Sequence, residues 1–290
     1  MSFLIHRVIP AATPDAPAIS ALDRGVQLGD GVFDTMVCFG GNAFLGDRHL
    51  DRLLRHASII GIATDGAIIK AVLASALAEV GKRHAIVRTT LTRGQAARGL
   101  WPTTTGEPSL VITAQPWTES LVGQPAQLAQ AGIPRNQYSP LARIKSLAYL
   151  ENILAAREAA EAGADDALIR NIHGDAVSTT IANIFAVDGK RLITPPLADG
   201  CLEGVTRGLV LEEARQLGLA CREESFTPQT LARVETLFLT NSVRLIRPVT
   251  AIAGRALSPS PMVGRLLCGL LARIARDTAV DITAVAYNLQ

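Results

Sequence analysis

The sequence contains no apolar run of the roughly 18 residues that a membrane-spanning helix requires, although 48% of its 290 residues are hydrophobic. It has no block of like charge, and its formal net charge is only +2. Nothing in this balance indicates nucleic acid or a membrane as a partner. The N-terminal stretch 1–20 has one short apolar patch and no signal-peptide pattern. We therefore expect a globular protein of the cytoplasm that binds neither.

Cysteine is scarce, and its distribution argues against a metal site. The four residues Cys38, Cys201, Cys221 and Cys268 form no C-x-x-C pair and have no histidine beside them at ligand spacing. Isolated cysteines are typical of structural thiols in a reducing compartment. The sequence therefore predicts no zinc or other metal.

A dinucleotide-binding fingerprint is also missing. The GDG at 29–31 has neither the third glycine nor the following helix of that motif. The predicted helices and strands do not alternate regularly, as a doubly wound sheet requires. These two observations exclude a Rossmann fold.

The pattern that is present predicts two units, separated by a linker at 116–125 that contains Pro and Gly. The first unit, 1–118, is small and α+β. Its predicted elements are a hairpin that begins with strand 32–39, helices 47–60 and 68–80, and strands 84–94 and 108–116. The second unit, 119–290, is larger. Its predicted elements are strands at 126–133, 166–170, 177–187, 191–194, 219–225 and 236–242, and helices at 146–162, from 205, and at 262–276.

Two segments offer donors for an anion. In LEGVTRG, a glycine loop runs directly into an amphipathic helix, so the amides of Val205 and Thr206 point outward beside the Thr206 hydroxyl. In LTNSV, a strand ends in Asn241 and Ser242, which can lend further donors. The alternatives are an ordinary helix start and a simple turn.

Two basic residues are candidates of a different kind. Lys145 lies in ARIKSLAYL, where a strand is expected to give way to a helix. A Schiff-base lysine needs a lowered pKa, which the neighbouring Arg143 and apolar side chains can provide; a surface lysine is the alternative. Arg52 lies off the apolar face of its predicted helix, which favours a solvated arginine.

The ordered set of motifs decides between these alternatives. From about residue 25 to 250 the chain resembles the class IV aminotransferases, the pyridoxal-phosphate enzymes of fold type IV. That family includes branched-chain and D-amino-acid aminotransferases and 4-amino-4-deoxychorismate lyase. The motifs that carry the resemblance are GDGVFDT, FLGDRHLDRLLRHA, TRGQAARGL, IKSLAYLENILAAREAAEAGADDALI, ANIFAVDGKRLITPP, LEGVTRG and FLTNSVRLIRPV.

The resemblance implies a fold and a cofactor. The expected fold is a two-domain α+β structure like that of D-amino-acid aminotransferase, with pyridoxal 5'-phosphate between the domains. The small N-terminal domain would be residues 1–118. The larger C-terminal domain, residues 119–290, would carry the cofactor lysine. Family members are typically homodimers, so a homodimer acting on a small amine or amino acid is implied.

The resemblance also implies roles for individual residues. Lys145 would bind the cofactor covalently and move the proton at the substrate carbon that bears the amine. Tyr149 would contact the cofactor's phenolic oxygen, and Arg98 and Phe33 would contact the substrate. The residues that would hold the phosphate are Arg52, Val205, Thr206, Asn241 and Ser242.

One position departs from the family pattern. Counting back from Asn183 places Ser178 where the family has a glutamate opposite the pyridine nitrogen. A carboxylate keeps that nitrogen protonated and the ring strongly electron-withdrawing, whereas a serine hydroxyl only hydrogen-bonds to a neutral nitrogen. Asp175 lies three residues earlier, in a predicted turn, and cannot replace the glutamate without a register slip. Val37, where aminotransferases often have arginine, weakens a branched-chain assignment.

Three functions remain open. The first is a 4-amino-4-deoxychorismate lyase that releases pyruvate and 4-aminobenzoate, with which Ser178 is the most compatible. The second is an aminotransferase that acts on branched-chain amino acids, D-amino acids or (R)-amines with a 2-oxo acid acceptor. The third is a non-catalytic homologue that binds pyridoxal phosphate.

Overall fold

The structure is a computed structural model that describes residues 7–9, 19–101 and 107–282. Most of the stretch 1–20, on which the expected cytoplasmic location partly rests, lies outside these residues. The described chain forms two compact units. Unit 1 comprises the residues up to Thr118 together with Ile144–Ala148, and unit 2 comprises Glu119–Arg143 and the residues from Tyr149 onward.

Unit 1 is a five-stranded antiparallel sheet in the order β1-β5-β4-β2-β3, with helices packed on one face. Its strands are β1 (Arg7–Ile9), β2 (Gly31–Phe39), β3 (Asn42–Ala43), β4 (Ala85–Thr92) and β5 (Ser109–Pro116). Its helices are α1 (Arg24–Leu28), α2 (Gly46–Ile59) and α3 (Gly66–Val80). The predicted elements are all present, and α1 and β1 are additional.

The alternation along β2 divides its side chains between the two faces of this sheet. Val32, Met36 and Cys38 point into an apolar core that also contains Leu53 of α2 and Leu73 of α3. Phe33 and Val37, of opposite parity, lie on the other face. Asp34 shares the core-facing parity, so a carboxylate points toward α2.

Unit 2 is built on a nine-stranded sheet. Its strands are β6 (Ala126–Gln130), β7 (Asp166–Arg170), β8 (Ala176–Ser178), β9 (Asn183–Asp188), β10 (Arg191–Thr194), β11 (Ala220–Glu223), β12 (Thr236–Asn241), β13 (Leu245–Ile252) and β14 (Arg255–Ala256). Its helices are α4 (Leu150–Glu161), α5 (Val205–Gln216), α6 (Pro228–Arg233) and α7 (Pro261–Thr278). Because β8 pairs with both β7 and β9, the strands β9, β12, β13, β6, β7 and β8 form a closed ring.

The single strand predicted over 177–187 is wrong, because the chain turns back between β8 and β9. The Thr179 amide donates to the Ala182 carbonyl, which closes a tight turn. The Thr180 hydroxyl and amide both donate to Oδ1 of Asp166. These bonds end β8 at Ser178, and Ser178 then pairs with Asn183 of β9.

The helix predicted from residue 146 begins only at Leu150. Residues 144–148 instead run beside β2, where Ser146 pairs with Val32. The expected division placed Lys145 with the C-terminal residues, but its segment clusters with unit 1 because of this pairing. One boundary between the two units lies between Thr118 and Glu119.

The prediction also missed β13, although its motif was noted. The Asn241 side chain accepts from the amides of Val243 and Arg244 and forms a tight turn, and Leu245 takes a left-handed backbone conformation at φ 56°. Such turn geometry at a leucine has no sequence signature. Among the described helices, none is long and apolar enough to cross a membrane.

Candidate active site

The backbone around Lys145 is held against β2 on both sides. The Phe33 amide donates to the Lys145 carbonyl at 2.9 Å, and the Leu147 amide donates to the Gly31 carbonyl at 2.9 Å. A Cβ on Gly31 would lie 2.8 Å from Cδ1 of Leu147 and 2.7 Å from the Leu91 carbonyl oxygen. Glycine at 31 is therefore needed for this close approach, and Lys145 lies on a rigid support.

The Lys145 side chain extends over the buried ring of Phe33. Its Nζ lies 4.4 Å from the ring centroid, and the guanidinium carbon of Arg88 lies 3.6 Å from the same centroid. The ring face thus attracts two cations. Arg88 is half-buried and extends from β4, opposite Thr35 of β2. It brings a second positive charge near the lysine.

A buried ion pair connects β2 to α2. Nε and Nη2 of Arg52 donate to the two carboxylate oxygens of Asp34, each at 2.8 Å, and His49 lies 2.7 Å from Oδ1. All three side chains are almost completely buried. Burial alone would raise the pKa of Asp34, but the hydrogen bond from His49 and the charge of Arg52 lower it well below its usual range. Burial lowers the pKa of His49 despite this carboxylate.

His56, also on α2, holds the lysine segment from the other side. The Lys145 amide donates to Nδ1 of His56 at 3.1 Å, so the accepting nitrogen must be unprotonated. Burial, followed by the positive charges of Arg52 and Arg55, lowers the pKa of His56 to about 4. A neutral His56 therefore accepts from Lys145 at neutral pH.

This pKa predicts acid sensitivity. The unfolded chain protonates His56 near pH 6.5 and the folded chain only near 4, so the free energy of unfolding falls as the pH drops between these values, by about 1.4 kcal/mol per pH unit. We expect His56→Asn, which keeps an acceptor for the Lys145 amide, to reduce the loss between pH 7 and 5 by about 2 kcal/mol. Urea denaturation at both pH values measures this. His173→Asn, at an exposed position, is the control; an unchanged loss in His56→Asn would refute the prediction.

The N-terminus of α5 in unit 2 offers hydrogen-bond donors of the kind that an anion requires. No side chain caps this helix, whose N-cap is Gly204, and first-turn amides have no partner within a helix. The Thr206 hydroxyl donates to the Ser242 hydroxyl at 3.4 Å, so two hydroxyls lie beside these amides. A Cβ on Gly204 would lie 2.1 Å from Oδ1 of Asn183, so the loop approaches β9 as only glycine allows. Amides, hydroxyls and a helix N-terminus suit a phosphate.

Three further predicted residues belong to unit 2: Asn241, Tyr149 and Ser178. Asn241 ends β12. Its side-chain oxygen accepts in the turn described above, and its side-chain NH2 group, which donates to the Ile181 carbonyl at 3.5 Å, is the part left to contact a phosphate. Tyr149 is half-buried at the N-cap of α4. Ser178 is buried at the end of β8, where Nη1 of Arg135 donates to its hydroxyl at 2.8 Å.

Arg98 is the remaining predicted residue of unit 1. It is exposed in the loop after β4. Arg24 holds the following backbone by donating to the carbonyls of Gly99 and Leu100, at 2.7 Å each. Its predicted role toward a substrate carboxylate stays a prediction.

Comparison with known proteins identifies the family. The family model described as amino-transferase class IV matches residues 31–252. The chain belongs to the class IV aminotransferases. Both the family and the fold type expected from the motifs are thereby confirmed. Class IV aminotransferases use pyridoxal 5'-phosphate, so this chain is a pyridoxal-phosphate enzyme.

The relatives of this class IV aminotransferase carry different activities in their names. A Methanocaldococcus jannaschii protein provisionally named branched-chain-amino-acid aminotransferase is 33% identical, over 83% of this chain and 84% of its own. The aminodeoxychorismate lyase of Bacillus subtilis is 28% identical, over 81% of each chain. The structure of the Thermoproteus uzoniensis branched-chain aminotransferase with norvaline superposes with a TM-score of 0.86 at 26% identity, covering 96% of this chain and 97% of that one. The named activities thus include both an aminotransferase and a lyase.

The residues of this class IV aminotransferase fit the cofactor. The uncapped helix with its two hydroxyls suits the phosphate, Lys145 suits the aldehyde carbon, and the Ser178 hydroxyl suits a ring nitrogen. Asn183 connects two of these features. Its backbone pairs with Ser178, and its side chain donates to the carbonyl of Leu202, shortly before the N-terminus of α5. Among the described residues there is no group of three or more His, Cys, Asp or Glu side chains able to hold a metal.

Four residues that organise this site were not identified from the sequence: Asp34, His56, Arg88 and Arg135. Asp34 and His56 stand within the GDGVFDT and RHLDRLLRHA motifs, so motif membership was the available signal. Arg88 alternates with apolar residues of β4, a weak signal at best. Nothing in the sequence connects Arg135 to Ser178, 43 residues away.

Proposed function

We propose that this enzyme is a 4-amino-4-deoxychorismate lyase, which eliminates enolpyruvate to leave 4-aminobenzoate. The observation that carries the proposal is the hydroxyl of Ser178, beside a guanidinium rather than a carboxylate, at the position predicted to face the pyridine nitrogen. Transamination depends strongly on how much electron density the cofactor ring accepts, whereas this elimination is also driven by formation of an aromatic product. The lyase reaction therefore tolerates Ser178 better.

The chain's own residues would perform the following tasks. The Lys145 amine takes the proton from the substrate carbon that bears the amino group, and Phe33 and Arg88 line the approach to that amine. Thr206, Ser242 and the first-turn amides from Val205, with Asn241 and Arg52, hold the phosphate. Tyr149 contacts the phenolic oxygen, and Arg98 receives a substrate carboxylate.

The proposal extends to the assembly of the enzyme. Residues 1–118 would form the smaller domain and residues 119–290 the larger. The working form would be a homodimer in the cytoplasm, acting in folate biosynthesis. Size-exclusion chromatography with light scattering tests the dimer.

An aminotransferase is the second candidate. Two of the relatives described above are named branched-chain aminotransferases, which favours it. The absence of an arginine at 37, where a buried valine stands in β2, favours the lyase over that branched-chain alternative.

One assay separates the candidates. We expect purified holoenzyme to form 4-aminobenzoate and pyruvate from aminodeoxychorismate, and to give no keto product from D-alanine, L-leucine or an (R)-amine with 2-oxoglutarate. Lys145→Ala is the matched inactive control. Conversion of any amine to its ketone or keto acid, without 4-aminobenzoate, would refute the lyase. Bound cofactor without any turnover would indicate the non-catalytic homologue.

A further inference from the structure

Arg135 and Ser178 form a polar pair that the family pattern does not explain. Nη1 of Arg135 donates to Oγ of Ser178 at 2.8 Å. The other contacts of this guanidinium are longer, with the carbonyl of Gly200 at 3.4 Å and Oδ1 of Asn152 at 3.5 Å. The Ser178 hydroxyl is therefore the nearest partner of the arginine.

The backbone holds both members of the pair next to β7. Ser178 pairs with Ile169 of β7 on one side and with Asn183 of β9 on the other. The Arg135 amide donates to the Arg170 carbonyl at 2.8 Å, and the Arg135 carbonyl accepts from Ile172 at 3.1 Å. Main-chain hydrogen bonds thus fix the backbone of both residues, and this places the Arg135 side chain within reach of Ser178.

The guanidinium has no counter-ion in the described part of the chain. The ion pairs there include none with Arg135. The titratable groups near it are Tyr149, Cys201 and Glu151. Burial raises the pKa of the Cys201 thiol to about 11, so this thiol is neutral, and Glu151 is exposed on α4.

Asp175 is not a counter-ion for Arg135 either. Its amide donates to Oδ1 of Asn171 at 3.0 Å, and its carbonyl accepts from the Asn171 amide at 2.8 Å, so it closes the turn between β7 and β8. The turn separates it from the strand position at which Ser178 stands. The local charge beside Ser178 is therefore positive.

A hydroxyl has one proton to donate and two lone pairs with which to accept. Since Arg135 donates to Oγ, the hydroxyl proton of Ser178 is directed elsewhere. A positive charge nearby disfavours the protonated form of any basic nitrogen beside it. The pair thus presents a donor to an aromatic nitrogen while opposing its protonation, the reverse of what a carboxylate does.

We propose that Ser178, positioned and polarised by Arg135, donates a hydrogen bond to the pyridine nitrogen of bound pyridoxal phosphate and keeps that nitrogen unprotonated at neutral pH. The proposal rests on the proposed function only in taking Ser178 to face this nitrogen. Ser178 contacts the cofactor, and Arg135 is a positioning residue that acts through it. The same pair would weaken the electron withdrawal on which transamination depends.

The test measures the protonation state of the pyridine nitrogen. Holoenzyme is loaded with cofactor labelled with ¹⁵N in the ring, and its ¹⁵N chemical shift is compared with those of the free cofactor above and below the ring-nitrogen pKa. We expect the wild-type signal at the unprotonated position from pH 6 to 8. A protonated signal in the wild type would overturn the proposal.

Variants separate the two residues. Ser178→Glu should move the signal to the protonated position and raise the rate of the half-reaction with an amino acid. Arg135→Gln keeps a donor to the hydroxyl without the charge, and should let the nitrogen protonate at pH 6. Arg135→Lys keeps the charge and should give the wild-type signal.

The affinity for the cofactor is a second readout. Ser178→Ala should raise the cofactor dissociation constant about fivefold to tenfold, as expected for one lost hydrogen bond, and Ser178→Thr should not. A signal that stays unprotonated in Ser178→Glu would show that Ser178 does not face the nitrogen.

These outcomes are distinguishable from failure of the proposed function. If the protein does not bind pyridoxal phosphate, no ¹⁵N signal of bound cofactor appears and the assignment of the whole site fails. If the cofactor binds with an unprotonated nitrogen but the enzyme transaminates, the inference stands and the lyase proposal fails. If 4-aminobenzoate is formed with a protonated nitrogen, the lyase stands and the Arg135–Ser178 inference fails.

Discussion

Lys145→Ala should abolish both activity and covalent binding of the cofactor. The amine is the only group at this position that can bond to the aldehyde carbon and move the substrate proton, and the loss of both tasks should lower the turnover rate by at least about 10⁴-fold. Borohydride treatment of the wild type should fix the cofactor on the peptide that contains Lys145, as measured by mass spectrometry. The variant should carry no label.

The structure indicates that this variant folds. The two bonds that hold the segment to β2 and α2 use the Lys145 carbonyl and amide, which alanine retains. The side chain removed is half-buried, and its contact with the Phe33 ring is lost with it. Lys190→Ala, at an exposed position in the turn before β10, is the matched control and should keep both label and activity. Label on another lysine, or more than about 1% of wild-type activity in Lys145→Ala, would contradict the assignment.

Lys145 could be proposed as the cofactor lysine from the sequence, but its surroundings could not be predicted. Taken alone, Lys145 is one lysine among others, and only the order of motifs along the chain singles it out. The contacts around it are non-local. His56 binds its backbone from 89 residues away, and Phe33 supports its side chain from β2. Pairings over such sequence distances leave no periodic trace, because periodicity reports which face of an element is buried and not what it meets.

The errors in secondary structure have the same origin. The residues 179–182 contain two threonines and an isoleucine, which are typical of strands. The turn forms because Asp166, on a different strand, binds both the hydroxyl and the amide of Thr180. Likewise, residues 146–149 have helix-compatible side chains, yet the helix begins only at Leu150, because Ser146 and Leu147 bond to β2 instead. In both cases a long-range hydrogen bond outweighs local propensity, and in both cases the displaced element end carries a candidate site residue.

Asp34→Asn should destabilise the protein more than any other single conservative change considered. Arg52 and His49 converge on this carboxylate, with no more than a twentieth of each side chain exposed. An amide cannot neutralise Arg52, so the buried guanidinium loses the negative charge of this carboxylate. Breaking a buried ion pair in this way costs about 3 to 5 kcal/mol, out of a typical total of about 5 to 15 kcal/mol.

Urea denaturation of the cofactor-free protein measures this loss, since bound cofactor would add its own stabilisation. Asp47→Asn is the matched control, because Asp47 also pairs with a cation at 2.8 Å, Lys70, but both side chains are exposed; its midpoint should not shift measurably. Adding Arg52→Gln to Asp34→Asn should recover part of the loss, since no unpaired charge then remains. A loss below about 1 kcal/mol in Asp34→Asn would contradict the prediction and would mean that water reaches the ion pair.

The partial recovery of stability in the double variant matters because it separates the two tasks of Arg52, pairing with Asp34 and holding the phosphate. If Arg52 also holds the cofactor phosphate, the double variant regains stability while its affinity for pyridoxal phosphate stays low.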